Sequence, residues 1–359
     1  MRTAHSALLL AAGAALVAAC ARAPEPLRER LLVFGSEAEL SISGVPPAQA
    51  RRAVTQVAAR MAVRNREWHA WEASDLTRIN AAFAAGEAAA APASVRELIR
   101  VSQDLSQRSG GAFDPAIGGL IALWGFHTSD YPIRSAPPQP AQIAAWRAHR
   151  PHIGEVSVRS DGTVSSSNRA VQLDFGAIAE GAAAIEVAGL LAHHGIGDAL
   201  ITLGGDVLAL GHNHRHAWRV AIADPRGGVF AGVTLASGEA LFTSGDYNKY
   251  RVLADGSRLP HILDPRSGEP ARGAATAVGL GTDPQLADVA ATALMVAGPD
   301  GFEAMARRLG LGCALLLGDD DTLRSTRAMR VRIELLRTPA HEIVPLDLGT
   351  GCTANTPAG

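Results

Sequence analysis

The sequence predicts an α+β protein in which mixed and antiparallel sheets pack against helices. Short segments of alternating apolar and polar residues are separated by turns rich in Gly and Asp, a pattern typical of strands in antiparallel sheets. Other segments repeat apolar residues at helical spacing. No repeat or clean linker divides them, and 359 residues, 47% of them hydrophobic, can bury a sizeable core. We therefore expect one body with one continuous site.

The N-terminus has the features of a secretory signal. Basic residues precede a run of about 13 apolar residues, which is too short to span a bilayer because spanning takes roughly 20. The run ends in small residues before Cys20, as in bacterial lipoprotein signals, although an ordinary signal with a chance cysteine would look similar. The sequence thus predicts a signal peptide over residues 1–19, a tether over 20–30 and a single domain over 31–359. Lipidation of Cys20 would anchor the protein to a membrane of the cell envelope, facing the periplasm.

The first half of the body mixes strands and helices. Residues 31–44 alternate apolar and polar side chains and predict a strand. Residues 46–71 have helical spacing with a proline start, and a second helix is predicted near 92–108. A long irregular stretch, rich in Gly, Pro and aromatic residues, follows from Gly110 to about Pro140.

The second half begins with a predicted hairpin over residues 156–176, with Asp161-Gly162 at its turn. An Ala-rich helix is predicted over residues 179–194. Three strands follow at 199–203, 217–223 and 230–236, and two helices near 283–309 flank Gly298-Pro299.

Charge and cysteine content narrow the function classes. Lys and Arg total 33 against 35 Asp and Glu, a formal net charge of -2. Non-specific nucleic-acid binding is therefore not expected, since it needs surplus positive charge. Three cysteines cannot build a disulfide framework. Cys313 lies in an apolar, strand-like run that predicts burial, and a Cys313–Cys352 disulfide is possible outside the cytoplasm but is left open by the sequence.

Two Gly-containing segments could bind a ligand through their backbone. Residues 110–126 (GGAFDPAIGGLIALWGF) combine five glycines with aromatic residues, which indicates either a platform for a flat ring or a structural loop with core aromatics. Residues 199–211 place Gly204-Gly205-Asp206 after a strand, where backbone N–H groups could face an anion. The alternative there is a tight turn, and neither nucleotide-binding fingerprint is present.

Carboxylates and a histidine mark three further segments. In residues 173–186, Glu180 lies in the first turn of a predicted helix, where it either contacts a ligand or caps the helix. In residues 240–270, His261 could act as an oriented base or be structural. Asp288 and Thr292 are spaced i, i+4 on one helix face and offer the oxygen ligands that suit Mg²⁺, unless they form a solvent-facing pair.

The histidines at positions 212, 214 and 216 form a short alternating run. Such a run could bind a transition metal, but it also fits a surface β-turn, which we favour.

Together these segments resemble the FAD:protein FMN transferase (ApbE) family, in order and over nearly the whole predicted domain. The resemblance is carried by SDLTRIN (74–80), GAFDPAIGGLIALWGF, LDFGAIAEG, LGGDVLALG, TSGDYNKY, DGSRLPHILDPRSGEPA and ADVAATAL. It implies an α+β fold with a T-fold-like core and the use of Mg²⁺ and FAD.

The resemblance also implies a set of site residues. Mg²⁺ would be held by the backbone carbonyl of Ala177 and the side chains of Asp288 and Thr292, and His261 matches the family's proposed catalytic histidine. A further Asp found in some relatives is Ala291 here. The FAD contacts that the resemblance implies are Phe34, Trp71, Ala112, Phe113, Asp114, Asp174, Glu180 and Leu263.

The activity implied by the resemblance is Mg²⁺-dependent transfer of FMN from FAD to a Thr hydroxyl of an exported acceptor protein, with release of AMP. A subunit of a membrane redox complex would be a typical acceptor. Two alternatives share the same motifs: hydrolysis of FAD to FMN and AMP, and flavin binding by a lipoprotein without catalysis.

Overall fold

The computed structural model describes residues 26–33, 36–349 and 351–352. The signal peptide predicted over residues 1–19, the lipid attachment predicted at Cys20 and the flavin contact predicted for Phe34 lie outside the described residues. Within those ranges, no helix combines the length and apolar character needed to cross a membrane.

A nine-stranded sheet forms the centre of the described fold. Neighbouring strands in this sheet are antiparallel. The exception is at one edge, where the last two strands named below are parallel. In spatial order the strands are β1 (Leu27–Val33), β2 (Ser36–Ser43), β6 (Asp198–Leu203), β7 (Asp206–Leu210), β10 (Ala240–Gly245), β13 (Ala274–Gly281), β14 (Cys313–Gly318), β15 (Thr322–Ser325) and β17 (His341–Glu342).

Helices cover one face of this sheet. The described α-helices are α1 (Pro47–Trp68), α2 (Asp75–Ala85), α3 (Ala93–Ser109), α4 (Gly118–Leu123), α5 (Pro140–His149), α6 (Ala179–His193), α7 (Pro284–Leu309) and α8 (Arg327–Arg332). Helix α7 lies directly on β10, β13 and β14, and α6 packs between α7 and α1. This places the N-terminal turns of α6 and α7 side by side at the middle of the sheet.

The central strands are buried on both faces, and their alternation decides which core each residue joins. In β14, Ala314 and Leu316 face the helices, whereas Leu315 and Leu317 face the opposite side. That side is covered by a second sheet of β8 (Trp218–Ala223), β9 (Val229–Leu235) and β16 (Ile333–Leu335). A strand buried on both sides is apolar throughout, which explains the continuous run CALLLG.

A third apolar cluster supports the loops on one side of the sheet. It joins α4 and α5 to the hairpin of β11 (Tyr250–Val252) and β12 (Arg258–Pro260) through residues such as Leu120, Trp124 and Leu259. A small sheet of β3 (Ala89–Ala90), β5 (Thr163–Ser166) and β4 (Val156–Val158) completes the described strands.

The α+β prediction is confirmed, and the long helices lie within a few residues of their predicted bounds. The predicted break in the last long helix is also present, since Gly298 has non-helical backbone angles inside α7. The stretch predicted as irregular after Gly110 contains the short helix α4. The predicted turn of the 156–176 segment is confirmed, but its strands are shorter than predicted.

The N-terminal edge differs from the prediction. Residues 31–44 were predicted as one strand, but β1 and β2 form a hairpin in which Leu27 pairs with Ile42. Strand β1 also includes residues 27–30 of the predicted tether. The reason is that Leu27 and Leu31 pack on the core while the intervening arginines face outward.

The question that the sequence left open for the cysteines is answered by the fold. Cys313 at the start of β14 and Cys352 near the end of the described chain form a disulfide. The bond ties the C-terminal segment to a central strand.

Candidate functional site

A cleft of about 850 Å³ opens where the N-terminal turns of α6 and α7 meet the loops around β10 and the β11–β12 hairpin. It is large enough for a dinucleotide-sized ligand. All the candidate site residues in the described ranges line it: Trp71, Ala112, Phe113, Asp114, Asp174, Ala177, Glu180, His261, Leu263, Asp288 and Thr292. The fold thus brings together residues that are more than 200 positions apart in the chain.

Asp288 and Thr292 lie one turn apart on α7, at the bottom of the cleft. Asp288 is only 6% exposed, and its Oδ2 accepts a hydrogen bond of 2.9 Å from the backbone N–H of Gly181 on α6. The two helices approach closely there, because a Cβ on Gly181 would lie 2.6 Å from the carbonyl oxygen of Pro284. The Oγ1 of Thr292 lies 3.1 Å from the Oγ of Ser244 on β10.

Asp288 is a buried carboxylate with no cation within ion-pair distance in the described part of the chain. Burial raises its pKa well above the ordinary value, and the neighbouring Glu180 adds to that shift. An unpaired buried carboxylate beside a hydroxyl, in a cleft that Ala177 also lines, fits a hard cation such as Mg²⁺, which takes few protein ligands. Across the described ranges, no three His, Cys, Asp or Glu side chains converge as a ready-made metal site.

A pair of carboxyl groups, Glu180 and Asp206, lies next to Asp288. Glu180 on α6 hydrogen-bonds to Asp206 at the start of β7, and burial raises the pKa of both carboxyl groups. The backbone N–H of Thr243 donates to Asp206 at 2.6 Å. Glu180 is therefore more than a helix cap: its carboxyl group points inward and contacts Asp206, which the sequence analysis did not single out as a site residue.

The turn before Asp206 is shaped for this contact. Gly204 has a φ of +60° and a Cβ there would lie 2.7 Å from Oε1 of Glu180. The Gly204-Gly205 pair therefore forms a tight turn, which was the alternative to an anion-binding loop in the sequence analysis. The pair also lines the cleft.

His261 lies at the end of the β11–β12 hairpin and lines the cleft. Its backbone N–H donates to the carbonyl oxygen of Lys249, and its Nδ1 lies 3.1 Å from the same oxygen. A carbonyl only accepts, so Nδ1 carries the proton and Nε2 is the basic nitrogen. Desolvation, together with the charge of Lys249, lowers the pKa of His261 to about 4. The imidazole is therefore a neutral base at physiological pH.

An aromatic pair lies on the rim of the cleft. Trp71 is 44% exposed and stacks on His127, with ring centroids 5.0 Å apart and planes 20° apart. The Nε2 of His127 in turn lies 3.1 Å from Oδ2 of Asp174. Flat, partly exposed rings of this kind are suited to stacking on a planar heterocycle.

Asp114 has its side-chain oxygens occupied within the fold. They accept hydrogen bonds from the backbone N–H groups of Ala116 and Ile153 and from the hydroxyl of Ser106. Burial nevertheless raises its pKa. This carboxyl group thus ties the loop of residues 110–115 to Ser106 on α3 and to Ile153.

Other residues in and around the cleft carried little sequence signal. Ser244 and Lys249 line the cleft, but the sequence of residues 240–270 does not show which of its side chains face a ligand. His127 follows the Gly-rich segment directly, and nothing in its own neighbourhood predicts that it stacks on the cleft residue Trp71. The alternating histidines at 212–216 lie in a turn between β7 and β8, as favoured.

Comparison with known proteins places this geometry in a family. The family model described as ApbE family matches residues 34–316. An FAD:protein FMN transferase from Rhodobacter capsulatus is 40% identical over 336 residues, which cover 92% of this chain and 63% of the relative. The chain thus spans less than two thirds of that relative's length.

Solved structures agree with the family match. The apo form of the flavinyl transferase ApbE from Pseudomonas stutzeri superposes with a TM-score of 0.74 at 30% identity, covering 87% of this chain and 98% of that one. The ApbE protein from Thermotoga maritima gives a TM-score of 0.75 at 26% identity, covering 86% and 99%.

Proposed function

The chain belongs to the ApbE family, and on that premise we propose that it transfers FMN from FAD to a hydroxyl group of an acceptor protein and releases AMP. The names of its relatives support the reaction class. The observation that carries the proposal is the meeting of an unpaired buried Asp288, Thr292 and a neutral His261 in one dinucleotide-sized cleft.

The reaction forms one phosphoester and breaks one anhydride bond. The hydroxyl oxygen of the acceptor, taken to be a Thr as in the family, attacks the FMN-side phosphorus of the pyrophosphate. The bond to the AMP phosphate breaks, so AMP leaves as the product. The proton of the hydroxyl goes to Nε2 of His261, which is unprotonated at neutral pH.

Asp288, Thr292 and the carbonyl of Ala177 are the residues that would hold Mg²⁺ in this cleft. When bound, the ion would neutralise the pyrophosphate oxygens and stabilise the leaving phosphate. The chain's own contribution is to keep Asp288 fixed through the N–H of Gly181 and to keep Thr292 beside Ser244.

The flavin end of FAD would lie toward the loop of residues 110–115 and the Trp71–His127 pair. That side of the cleft supplies aromatic and apolar surface, including Phe113 and Leu263, which are both buried. The carboxylate side supplies the cation-binding groups. The polarity of the cleft therefore matches a molecule with a flat ring at one end and phosphates in the middle.

Incubation with FAD and Mg²⁺, with and without a candidate acceptor, tests the proposal. Chromatography of the products should show fast AMP release only when an acceptor is present, with little free FMN. Equally fast formation of AMP and free FMN without acceptor would assign the chain as an FAD pyrophosphatase. If no AMP forms under either condition, the chain binds flavin without catalysing a reaction.

We also propose that the protein acts in the cell envelope, anchored through lipid on Cys20, with an exported acceptor. The predicted lipoprotein signal supports this location, as does the Cys313–Cys352 disulfide, because such bonds persist in oxidising compartments. Cell fractionation of the wild type and Cys20→Ala tests it. The wild type should be recovered with membranes and the variant in the periplasmic fraction, and equal distribution of the two would contradict the anchor.

A further inference from the structure

A second cavity of about 650 Å³ lies beside the catalytic cleft. The two cavities share Asp114 and Pro265 as a common wall. The floor and sides of the second cavity, which we term the arginine groove, come from the last turn of α5, the residues that follow it and the loop around Arg266. Its other lining residues include Ala144, Trp146, Arg147, Ala148, Arg150, Pro151 and His152.

The arginine groove carries uncompensated positive charge. Neither Arg147 nor Arg150 lies within ion-pair distance of a carboxylate in the described ranges, and both are exposed. Arg266 is neutralised by Asp264, with Nε and Oδ1 2.8 Å apart. The groove also borders Asp114, but the oxygens of that buried carboxyl group are occupied by donors within the fold.

The last turn of α5 forms one wall of the groove. Trp146 lines it with part of its ring, while its Nε1 is buried on the side of Gly119. Arg150 adds a backbone feature, because it ends α5 with a φ of +45°, an uncommon conformation for a residue other than Gly. That turn places Arg150 on the rim of the cavity together with Arg147.

The groove's position relates it to the proposed transfer. FAD would occupy the catalytic cleft, so an acceptor protein must bring its hydroxyl group to that cleft from an adjoining surface. The arginine groove adjoins the cleft directly and mixes cationic side chains with small apolar ones. Cationic surfaces steer acidic partners and fix their register.

We propose that the arginine groove docks an acidic stretch of the acceptor polypeptide, whose carboxylates face Arg147 and Arg150. This inference rests on the proposed FMN transfer and names the recognition chemistry of its second substrate.

The test uses fluorescein-labelled decaglutamate as the probe and decaglutamine as the uncharged comparison. Binding is measured by fluorescence anisotropy at low and high salt. Wild-type protein should bind decaglutamate, weaken with salt and discriminate against decaglutamine. The double variant Arg147→Glu/Arg150→Glu should lose about tenfold or more in affinity.

A matched variant controls for net charge. Arg51→Glu/Arg52→Glu makes the same change in charge on exposed positions of α1 that line neither cavity, so it should bind decaglutamate like the wild type. Equal binding of decaglutamate by both double variants would overturn the proposal. Displacement of the probe by AMP or inorganic phosphate, added at the same concentration of negative charge as decaglutamate, would also overturn it, because the groove would then bind small anions.

A separate measurement keeps this proposal distinct from the proposed function. The Arg147→Glu/Arg150→Glu variant should bind FAD, read by flavin fluorescence, with the wild-type dissociation constant. With an acceptor, its KM for the acceptor should rise while its KM for FAD stays unchanged. If the wild type forms no FMN adduct yet binds decaglutamate through these arginines, the transfer function fails and the docking surface stands. A raised KM for FAD with unchanged KM for acceptor would overturn the docking role.

Discussion

The chemistry of His261 is decided by one backbone carbonyl and by burial. The carbonyl of Lys249 fixes the tautomer, and desolvation keeps the ring neutral well below its ordinary titration range. A base with a pKa of about 4 stays in its active form as pH falls through 6.5 and is lost only near pH 4. Local geometry thus extends the pH range over which the ring can accept a proton.

We predict that the imidazole of His261 takes up a proton only near pH 4. His261→Gln should lower kcat by about 10²–10⁴-fold, because positioned proton transfer contributes that much, while FAD affinity stays close to the wild type. NMR titration of the His261 ring checks the first point, and steady-state kinetics at neutral pH check the second. Titration of the ring near pH 6.5 would contradict the lowered pKa, and full activity of His261→Gln would remove the base role.

Asp288 can be tested against a second aspartate on the same helix. Asp288→Asn should reduce Mg²⁺-dependent AMP release by about 10²-fold or more, since it removes the only carboxylate proposed to hold the ion. Asp283→Asn is the matched control, because Asp283 caps α7 by accepting from the N–H groups of Gln285 and Leu286, and Asn caps equally well. Both variants should keep the wild-type melting temperature to within a few degrees. Equal AMP release by the two variants would show that the metal is held elsewhere.

At the scale of elements, the β11–β12 hairpin carries His261 and is anchored by a buried arginine. Arg251 is 2% exposed, has no carboxylate partner in the described ranges and donates to the carbonyl oxygens of Trp124, Ser135 and Ala136. The hairpin is thus tied to the chain segment that follows the Gly-rich loop. Burial without a counter-charge lowers the pKa of Arg251.

Arg251→Met should destabilise the protein by about 2–4 kcal/mol, because it leaves several buried carbonyl groups without a donor. Arg258→Met on the same hairpin should cost little, since Arg258 is exposed and lies over the ring of Tyr250. Urea unfolding of both variants measures the difference. If Arg251→Met is as stable as Arg258→Met, the anchoring role is wrong.

The elements also show what sequence reasoning could reach. Helices α1, α3, α6 and α7 were predicted because apolar spacing is a local property. Strand order was not predictable, because pairing across the sheet depends on contacts between distant segments. The pairing of β1 with β2 was missed because residues 31–44 were interpreted as a single strand.

Some residues of the candidate site could be predicted from the sequence, and others could be found only from the fold. Asp288, Thr292 and His261 were found because they stand in segments that match the family. Asp206, His127 and Arg251 were not, because their roles come from partners brought close only by folding: Asp206 contacts Glu180, and Arg251 reaches a carbonyl 127 positions away. A lone arginine in a strand gives no sign in sequence that it is buried.

At the scale of the whole molecule, the Cys313–Cys352 disulfide closes a loop with a sequence separation of 39. Loop-closure entropy for that length corresponds to about 4 kcal/mol in the chain-entropy account. Cys313→Ala/Cys352→Ala should therefore melt at a lower temperature than the wild type, and a reducing agent should lower the wild-type melting temperature toward that of the variant. Activity at 25 °C should be kept, because neither cysteine lines the cleft. Equal melting temperatures for wild type and variant would contradict a stabilising role.

The most direct measurement of the central claim is intact-protein mass spectrometry of a candidate acceptor after incubation with the wild-type chain, FAD and Mg²⁺, followed by fragmentation to locate the adduct. The account predicts one FMN phosphoester on a single Thr, formed in equal amount to AMP, absent with Asp288→Asn and present with Asp283→Asn. An acceptor of unchanged mass while AMP accumulates, or an adduct formed equally well by Asp288→Asn, would contradict it.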